Sequence, residues 1–444
     1  MGEVLRIAGG KRLEGEVWIP AAKNSLLPIL AASLLCAGPV RVRQAPRLTD
    51  VDSSLALLRA AGMKARREGE DLALSPGQPA PGDLPDGPVG AMRSSVFYLA
   101  PMLHRCGRVS MTLPGGCPLG PRPIDIHLDG LAKMGAEGGW RGERLTLTAP
   151  DGLHGVDYTL RLPSVGATET LLMAAVRARG ITVLRGAAKE PEVVDLARFL
   201  MACGAHICGA GTGTIWVQGR ERLSGAVYRP VADRIVGATV LAAAAATGGR
   251  VTLRRCVPAH LEAVAAVLTR AGCRVERLGP AALMLEAPPR LEGAGLVRAG
   301  EYPAFPTDAA PILAAAFLRA KGNSHFEDTV FASRFSCAAG FGALGAGVQA
   351  AGRRLDIRPF GPLKGACLTA PDLRGGAALA VAALQAEGVS LIGGTAHIRR
   401  GYGDLAALLR RLGADARWQD EESVRTYDGN ARENFFVSCA DIPL

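Results

Sequence analysis

Glycine residues recur along this chain of 444 residues with a period of about seventy, and this repeat constrains the possible fold strongly. Each of these glycines follows an apolar segment and precedes a β-rich run, as in "LLMAAVRARGITVL" and "VLAAAAATGGRVTL". Because glycine after a helix commonly adopts the left-handed conformation, the pattern predicts a helix, a C-cap and then a strand. The glycines are Gly38, Gly107, Gly180, Gly248, Gly322 and Gly388, spaced 69, 73, 68, 74 and 66 residues apart.

A second series of glycines alternates with the first and ends amphipathic segments such as "VAAVLTRAGCRV". The chain therefore contains six copies of a unit with two helices and three or four strands. The first helix of each unit is apolar all round and is predicted to be buried, whereas the second has a polar face and is predicted to lie outside. The second series is Gly62, Gly135, Gly204, Gly272, Gly345 and Gly413.

Six α/β units of this size exceed what one compact core usually holds, so we expect two domains of three units each. The boundary is expected near residue 229, halfway along the chain.

Composition and charge exclude several classes of protein. The chain has 51 basic and 41 acidic residues, but no basic cluster with interleaved aromatic residues, so a small anionic ligand is favoured over nucleic acid. Neither a signal-peptide-like segment nor a long apolar stretch is present, which predicts a cytoplasmic protein without a membrane segment. The cluster of Cys203, His206 and Cys208 lacks a fourth ligand nearby, so no zinc site is expected.

Polar and charged residues stand at the start of each apolar helix. Capping accounts for the Ser, Thr, Asn and Asp residues. It does not account for Lys23, Arg93, Arg234 and Arg374. The N-terminus of a helix is the positive end of its dipole, so a cation there is unfavourable unless an anion lies between the cation and the helix end. If the six helix starts face one cleft, that cleft is predicted to bind a polyanion. The starts are Lys23-Asn24, Arg93-Ser94, Ser164-Val165-Gly166, Asp233-Arg234, Thr307-Asp308 and Asp372-Leu373-Arg374.

The stretch "LPGGCPLGPRPIDIH", from Leu113 to His127, is predicted to be a loop because of its many prolines and glycines. Cys117 follows Gly115 and Gly116 and precedes Arg122. A neighbouring guanidinium lowers the pKa of a thiol and makes it more reactive. A surface cysteine without a function is the alternative interpretation.

These segments together resemble the enolpyruvyl transferases, and within them the branch that acts on UDP-N-acetylglucosamine. The resemblance runs from about Leu5 to Ala416. Its motifs are "AAKNSLLPILAASLL", "LTDVDSSLALLRAAGM", "MRSSVFYLAP", "LPGGCPLGPRPIDIHLDGLAKMGA", "PSVGATET", "AAKEPEVVDLARFL", "AFPTD", "DLR" and "HIRRGY". The shikimate-phosphate branch lacks the Pro-Gly-Gly-Cys loop, so that branch is disfavoured.

The resemblance implies a two-domain inside-out α/β barrel of six βαβαββ repeats. It implies a first barrel over 22–229, which carries the cysteine loop and the nucleotide-sugar strip. The strip comprises Arg122, Pro123, Ile124, Asp125, Ile126, Ser164, Val165 and Gly166. The second barrel is expected over 1–21 plus 230–420, with 421–444 as a tail of unknown role. The implied reaction transfers the enolpyruvyl group of phosphoenolpyruvate to the 3-hydroxyl of UDP-N-acetylglucosamine, releases phosphate, and needs neither cofactor nor metal.

The resemblance also implies roles for individual residues. Cys117 is the expected general acid and Asp308 the expected general base at the sugar hydroxyl. Lys23 and Arg400 are also expected to be catalytic, and Glu190 is expected to be structural. The implied substrate-binding residues are Lys23, Asn24, Arg93, Arg122, Pro123, Ile124, Asp125, Ile126, Ser164, Val165, Gly166, Asp308, Val330, Arg334, Asp372, Arg374 and Arg400.

The second half departs from the family pattern at five positions: Val236, Ala310, Ala332, Cys337 and Arg399. Glu, Gln, Glu, His and Asp are usual there, so carboxylates are lost and positive charge is gained. The expected ligand residues remain in place. Two alternatives therefore stay open: an enolpyruvyl transferase that acts on another nucleotide, and a nonenzymatic paralogue that binds a nucleotide sugar.

Overall fold

The computed structural model describes residues 2–116 and 123–420, whose contacts group into two units. The first unit comprises Pro20–Asp233 together with Glu301–Pro303. The second unit comprises the described residues before Pro20, Arg234–Gly300 and the described residues after Pro303. The domain limits expected from the sequence stay a prediction, and the expected tail lies outside the described residues.

Helices and strands alternate along the described residues. The α-helices are α1 (Lys23–Ala32), α2 (Thr49–Ala60), α3 (Asp86–Ala91), α4 (Leu99–Cys106), α5 (Asp125–Lys133), α6 (Val165–Ala175), α7 (Pro191–Ala202), α8 (Arg234–Ala246), α9 (Glu262–Arg270), α10 (Ala310–Ala316), α11 (Ala338–Ala343), α12 (Leu373–Ala383), α13 (Thr395–Tyr402) and α14 (Leu405–Arg410). Short 3₁₀ helices span Ser33–Leu35, Arg93–Tyr98, Pro258–Leu261 and Thr307–Ala309. The strands are β1 (Glu3–Ala8), β2 (Glu14–Trp18), β3 (Val40–Val42), β4 (Lys64–Glu68), β5 (Asp71–Ser75), β6 (Arg108–Thr112), β7 (Glu137–Arg141), β8 (Arg144–Thr148), β9 (Asp157–Thr159), β10 (Ile181–Arg185), β11 (His206–Cys208), β12 (Thr214–Gln218), β13 (Val227–Tyr228), β14 (Arg250–Arg254), β15 (Arg274–Arg277), β16 (Ala282–Glu286), β17 (Gly295–Gly300), β18 (Phe305–Pro306), β19 (Ser324–Asp328), β20 (Val348–Ala351), β21 (Arg354–Ile357), β22 (Cys367–Thr369), β23 (Val389–Gly393) and β24 (Asp415–Asp420).

The described strands of the first unit form three sheets, in the orders β13-β3-β5-β4, β6-β8-β7 and β11-β12-β10-β9. Strand β13, the last of the unit, pairs in parallel with β3, the first, with Val227 opposite Arg41. The end of the unit therefore completes the sheet at its beginning.

The second unit repeats this arrangement with the orders β15-β16-β14-β2, β18-β17-β19-β21-β20 and β22-β23-β1-β24. Strand β1 lies between β23 and β24 and is antiparallel to both. Strand β2 pairs in parallel with β14. The N-terminal strands thus complete two sheets whose other strands come from the second half of the chain.

The apolar helices predicted to be buried are buried. In the second unit α8, α10 and α12 pack pairwise against one another, and nearly all their residues are shielded from solvent. In the first unit α4 and the 3₁₀ helix Arg93–Tyr98 both contact α6, and that 3₁₀ helix also contacts α1. Helix α4 departs from the prediction in its last turn, where His104, Arg105 and Cys106 are only partly buried.

All six glycines of the second series, for which no conformation was predicted, have positive φ angles, between 83° and 97°. In the first series Gly107 is the C-cap of α4, with φ 66°. Gly180, Gly248, Gly322 and Gly388 also have positive φ, but they follow the end of the helix and do not cap it. The prediction is wrong for Gly38, whose φ is not positive; a Cβ there would lie 2.8 Å from the backbone nitrogen of Gly225, so close approach requires this glycine.

Candidate functional site

Asp308 lies in the 3₁₀ helix Thr307–Ala309, which directly precedes α10 in the second unit, and two arginines converge on its carboxylate. Arg334 Nη2 donates to Oδ1 at 3.1 Å. Arg374 donates to Oδ2 from Nη2 at 2.9 Å and from Nε at 3.1 Å. The side chains of Arg334 and Arg374 are 1% and 5% exposed, whereas that of Asp308 is 26% exposed. The carboxylate therefore covers two buried cations.

Further polar groups fix the orientation of Arg334. Its Nε donates to Thr307 Oγ1 at 3.0 Å and lies 3.8 Å from Asp328 Oδ2. The hydroxyl of Thr307 in turn donates to Asp328. Arg334 Nη1 is buried, and no group in the described part of the chain accepts a hydrogen bond from it. A buried guanidinium hydrogen without an acceptor is costly, which marks this position as one that an anion can satisfy.

Arg374 is oriented from two other helices. Its Nη1 donates to the Tyr402 hydroxyl at 3.3 Å, and that hydroxyl is 2.8 Å from Thr239 Oγ1. Because Thr239 donates its own hydrogen to the Ile235 carbonyl, Tyr402 must donate to Thr239 and accept from Arg374. A chain of hydrogen bonds thus runs from α8 through α13 to the guanidinium.

Glycines permit the close packing that this chain of bonds needs. A Cβ at Gly376 on α12 would lie 2.7 Å from Ile398 Cγ1 on α13. A Cβ at Gly401 would lie 2.7 Å from Leu373 Cδ2. Larger residues at these positions would separate the helices and move Tyr402 away from Arg374.

The pKa of Asp308 is set by opposing effects. Burial alone would raise it, but the charges of Arg374, Arg334 and Arg234, together with the hydrogen bond from Arg374, outweigh burial and hold the pKa well below the usual range. In this arrangement Asp308 is ionised but weakly basic.

The other predicted residues of the second unit occupy distinct positions. Asp372 is the N-cap of α12, and its Oδ1 accepts from the backbone nitrogens of Arg374 and Gly375 at 2.9 and 3.0 Å. Val330 is 41% exposed, and its backbone nitrogen donates to Asp328. Arg400 is half-buried on α13, in the turn that also carries Tyr402.

In the first unit, Lys23 begins α1 and is buried against a carboxylate. Its Nζ lies 2.6 Å from Asp50 Oδ2, with side-chain exposures of 10% and 5%. Its backbone nitrogen donates to Asp233. We expected cations at helix starts to require an external anion. That inference is incomplete, because Asp50 and Asp308 already supply internal carboxylates for Lys23 and for Arg374.

Arg93 and Gly166 lie close to His127 in the first unit. Arg93 Nη2 donates to the Pro123 carbonyl at 3.3 Å. A Cβ on Gly166 would lie 3.0 Å from His127 Nε2, so a larger residue there would press on the imidazole. Burial, and then the charge of Arg93, lower the pKa of His127 to about 4, which keeps the ring neutral. Sequence reasoning missed His127, although it ends the motif that contains Cys117.

The remaining strip residues lie at the starts of α5 and α6. Asp125 forms an ion pair with Arg161, and Ser164 Oγ caps α6 by accepting from the Ala167 nitrogen at 3.3 Å. The two helices approach each other closely at Gly130, where a Cβ would lie 2.5 Å from Leu171. Of the other predicted residues, Asn24 is exposed, Val165 is half-buried, and Ile124 and Ile126 are buried.

Cys117 and Arg122 lie outside the described residues. Glu190 is the N-cap residue of α7, and its Oε1 accepts from the Tyr302 backbone nitrogen at 3.5 Å.

Four of the five departures from the family pattern lie in surroundings that suit the residue present. Arg399 donates from Nη2 to Glu3 at 2.9 Å and stacks 4.0 Å from the ring of Trp418, so a carboxylate of this chain balances its charge. Val236 and Ala310 are buried in α8 and α10, where their apolar side chains need no polar partner. Burial, then the charge of Asp372, raise the pKa of the Cys337 thiol, which keeps it protonated. Nothing in the structure explains Ala332.

Several residues of the site were not singled out from the sequence. Tyr402 lies inside the quoted segment "HIRRGY", and Asp50 lies inside "LTDVDSS". Thr307 was identified among the helix starts, but its hydrogen bond with Arg334 was not expected. Asp328 ends β19 and Thr239 lies within α8, and no local signal marks either as part of the site.

Within residues 2–116 and 123–420, no group of three His, Cys, Asp or Glu side chains is arranged to hold a metal ion. No helix of that part of the chain is long and apolar enough to cross a membrane.

Comparison with known proteins gives consistent matches along the chain. The sequence profile of the EPSP synthase (3-phosphoshikimate 1-carboxyvinyltransferase) family matches residues 7–409. A protein of Caldanaerobacter subterraneus subsp. tengcongensis named UDP-N-acetylglucosamine 1-carboxyvinyltransferase 2 is 40% identical, over 92% of this chain and 98% of its own. The UDP-N-acetylglucosamine 1-carboxyvinyltransferase of Dichelobacter nodosus is 42% identical, over 93% and 98% of the two chains.

Solved structures share the fold. The enolpyruvyl transferase NikO from Streptomyces tendae has a TM-score of 0.84 and 26% identity, over 94% of this chain and 99% of its own. An EPSP synthase from Acinetobacter baumannii has a TM-score of 0.72 and 19% identity, over 95% and 100% of the two chains. The fold is therefore the two-domain enolpyruvyl transferase fold that the sequence predicted.

Proposed function

Because this chain belongs to the enolpyruvyl transferase family, within its UDP-N-acetylglucosamine 1-carboxyvinyltransferase branch, we propose that it transfers the enolpyruvyl group of phosphoenolpyruvate to the 3-hydroxyl of UDP-N-acetylglucosamine. This is the first committed step of peptidoglycan synthesis. The observation in the fold that carries the proposal is the convergence of buried Arg334 and Arg374 on Asp308. Two buried arginines next to a carboxylate support the proposal of a binding site for a substrate anion beside a group that can act as a base.

The planar guanidinium groups of Arg334 and Arg374 suit the phosphate and carboxylate groups of phosphoenolpyruvate, because each can give two hydrogen bonds to an oxyanion. In this proposal Arg400 adds a third cation. Lys23, Asn24 and Arg93 hold the reacting groups on the first unit. The nucleotide sugar lies along Arg122, Pro123, Ile124, Asp125, Ile126, Ser164, Val165 and Gly166.

The chemistry proceeds by addition and elimination. The sugar 3-oxygen bonds to C2 of phosphoenolpyruvate while its proton passes to Asp308 and C3 takes a proton from Cys117. The C–O bond to phosphate in the resulting ketal then breaks, C3 returns a proton to the Cys117 thiolate, and the double bond re-forms. The proton held by Asp308 leaves with the phosphate. Phosphorus is not attacked, and the arginines balance the charge of the leaving phosphate. We therefore propose that neither metal nor cofactor takes part, and that the reaction occurs in the cytoplasm without nucleic acid or membrane.

The test is phosphate release from purified protein given phosphoenolpyruvate and UDP-N-acetylglucosamine. We expect phosphate only when both are present, with one enolpyruvyl nucleotide sugar formed per phosphate by mass spectrometry. Treatment with EDTA should leave the rate unchanged. Release with another nucleotide but not with UDP-N-acetylglucosamine would favour the first alternative, and binding without release would favour the nonenzymatic paralogue.

A variant tests the role of the loop. Cys117→Ser should lower turnover by at least about a hundredfold, the usual scale for losing a positioned acid. Cys208→Ser, at an exposed cysteine of the same unit, is the matched control and should retain the wild-type rate. Turnover of Cys117→Ser within a few-fold of wild type would remove this residue from the mechanism.

A further inference from the structure

We propose that Asp308 occupies the position of a substrate anion in the ligand-free protein, and that the arriving anion displaces it from Arg334 and Arg374. The carboxylate then becomes an effective base only after that anion has bound. This inference rests on the proposed function and adds an internal competitor to its anion site.

The hydrogen bonds of the cluster distinguish Asp308 from its acidic neighbours. Asp328 Oδ1 accepts from the backbone nitrogens of Val330 and Phe331 at 2.8 and 2.7 Å, so it is part of the fold of its loop. Asp372 likewise caps α12 and accepts from Ser336 at 2.7 Å. The hydrogen bonds that Asp308 accepts come from arginine side chains. It is therefore the carboxylate that can leave without breaking a turn or a cap.

The solvent exposure of Asp308, Arg334 and Arg374 also supports displacement of Asp308. The side chains of Arg334 and Arg374 are almost fully buried, and the carboxylate between them and solvent is about one-quarter exposed. An anion that approaches these arginines therefore meets Asp308 first. Arg334 Nη1, which is buried and has no acceptor in the described residues, offers such an anion a further hydrogen bond once the carboxylate has moved.

Displacement has a chemical consequence for the base. The charged groups that face Asp308 are Arg234 on α8, Arg334 after β19 and Arg374 on α12, and all three lower the pKa of its carboxyl group. When a phosphate or carboxylate takes over Arg334 and Arg374, their effect on Asp308 is neutralised and its pKa rises. Removal of the proton from the sugar hydroxyl is thereby coupled to the binding of phosphoenolpyruvate. The hydroxyl is then not ionised before the second substrate has bound.

The competition is tested by titrating inorganic phosphate into the protein by calorimetry, at constant ionic strength and without nucleotide sugar. Asp308→Asn should bind phosphate more tightly than wild type by at least about fivefold, the lower end of typical coupling between sites. Glu327→Gln is the matched control, since it removes one negative charge on β19 from an exposed pair with Arg298 and should leave the affinity unchanged. Equal or weaker binding by Asp308→Asn would overturn the proposal.

A second measurement needs no variant. In a crystal structure of the wild-type protein soaked with phosphate, phosphate oxygens should occupy the donors of Arg334 and Arg374, with Asp308 turned away from both. Phosphate bound with both Asp308 ion pairs intact would also overturn the proposal. Neither result depends on turnover, so failure of the transfer reaction and failure of this inference remain distinguishable.

Discussion

Arg374 donates from both Nε and Nη2 to a single oxygen of Asp308, at 3.1 and 2.9 Å. Because two nitrogens of one planar group converge on that atom, the other carboxylate oxygen is left for Arg334. The arrangement depends on the shape of the guanidinium group as well as on its charge.

Replacing Arg374 by lysine tests that dependence on shape. Lysine keeps the charge but loses the second donor, and a hydrogen bond to a charged group contributes about 1.5–3 kcal/mol. We expect Arg374→Lys to raise the KM for phosphoenolpyruvate by about tenfold or more, measured at saturating UDP-N-acetylglucosamine. Arg298→Lys, in an exposed ion pair of the same unit, should leave that KM unchanged. A wild-type KM in Arg374→Lys would show that charge alone suffices.

Tyr402 is predicted to act by positioning Arg374. Tyr402→Phe removes the acceptor of Arg374 Nη1 and the donor to Thr239, so the guanidinium gains freedom. We expect the KM for phosphoenolpyruvate to rise by about tenfold, with a smaller fall in kcat, because ground-state binding is affected most. Tyr158→Phe, which removes a hydroxyl bound to Asp129 in the first unit, is the control. A loss of stability with both kinetic constants unchanged would indicate a purely structural role.

The buried pair of Lys23 and Asp50 is predicted to contribute strongly to stability. Asp50→Asn removes the carboxylate that lies 2.6 Å from Lys23 Nζ, and breaking a buried pair from one side costs about 3 kcal/mol. Urea denaturation should therefore give a markedly lower free energy of unfolding. The double variant Lys23→Met/Asp50→Asn should recover part of the loss. Asp83→Asn, at the exposed pair with Arg108, should change stability by less than about 1 kcal/mol.

The lowered pKa of Asp308 predicts a specific dependence of stability on pH. A carboxyl group whose pKa is lower in the folded state stabilises the fold above its unfolded value of about 4, and this contribution is lost as pH falls toward the folded value. The unfolding free energy of wild type minus that of Asp308→Asn should therefore be constant from pH 7 to 5 and should fall below about pH 4. Urea denaturation at each pH measures the difference. A difference that increases on acidification would contradict the assigned ion pairs.

The repeat could be recognised from the sequence because its signals are local. An apolar helix, an amphipathic helix and a glycine at a fixed spacing each reflect a few neighbouring residues, and the buried helices and the positive φ angles of the second glycine series follow them. Gly38 was misjudged because its requirement comes from Gly225, which is distant in the chain. The way in which β1, β2 and β13 complete sheets also depends on pairing between distant segments, which a local pattern cannot specify.

The sequence by itself determined the α/β class, the six repeats, the buried helices, and the residues that stand at the helix starts. Only the tertiary structure decided which charges meet. It paired Lys23 with Asp50, brought Asp308 between Arg334 and Arg374, and linked Tyr402 to Thr239 on another helix. Arg399 likewise acquired its partner only when the strand that carries Glu3 met α13. The physical reason is that helix and turn propensities act over a few residues, whereas ion pairs and hydrogen bonds depend on distances of about 3 Å between atoms that only packing brings together.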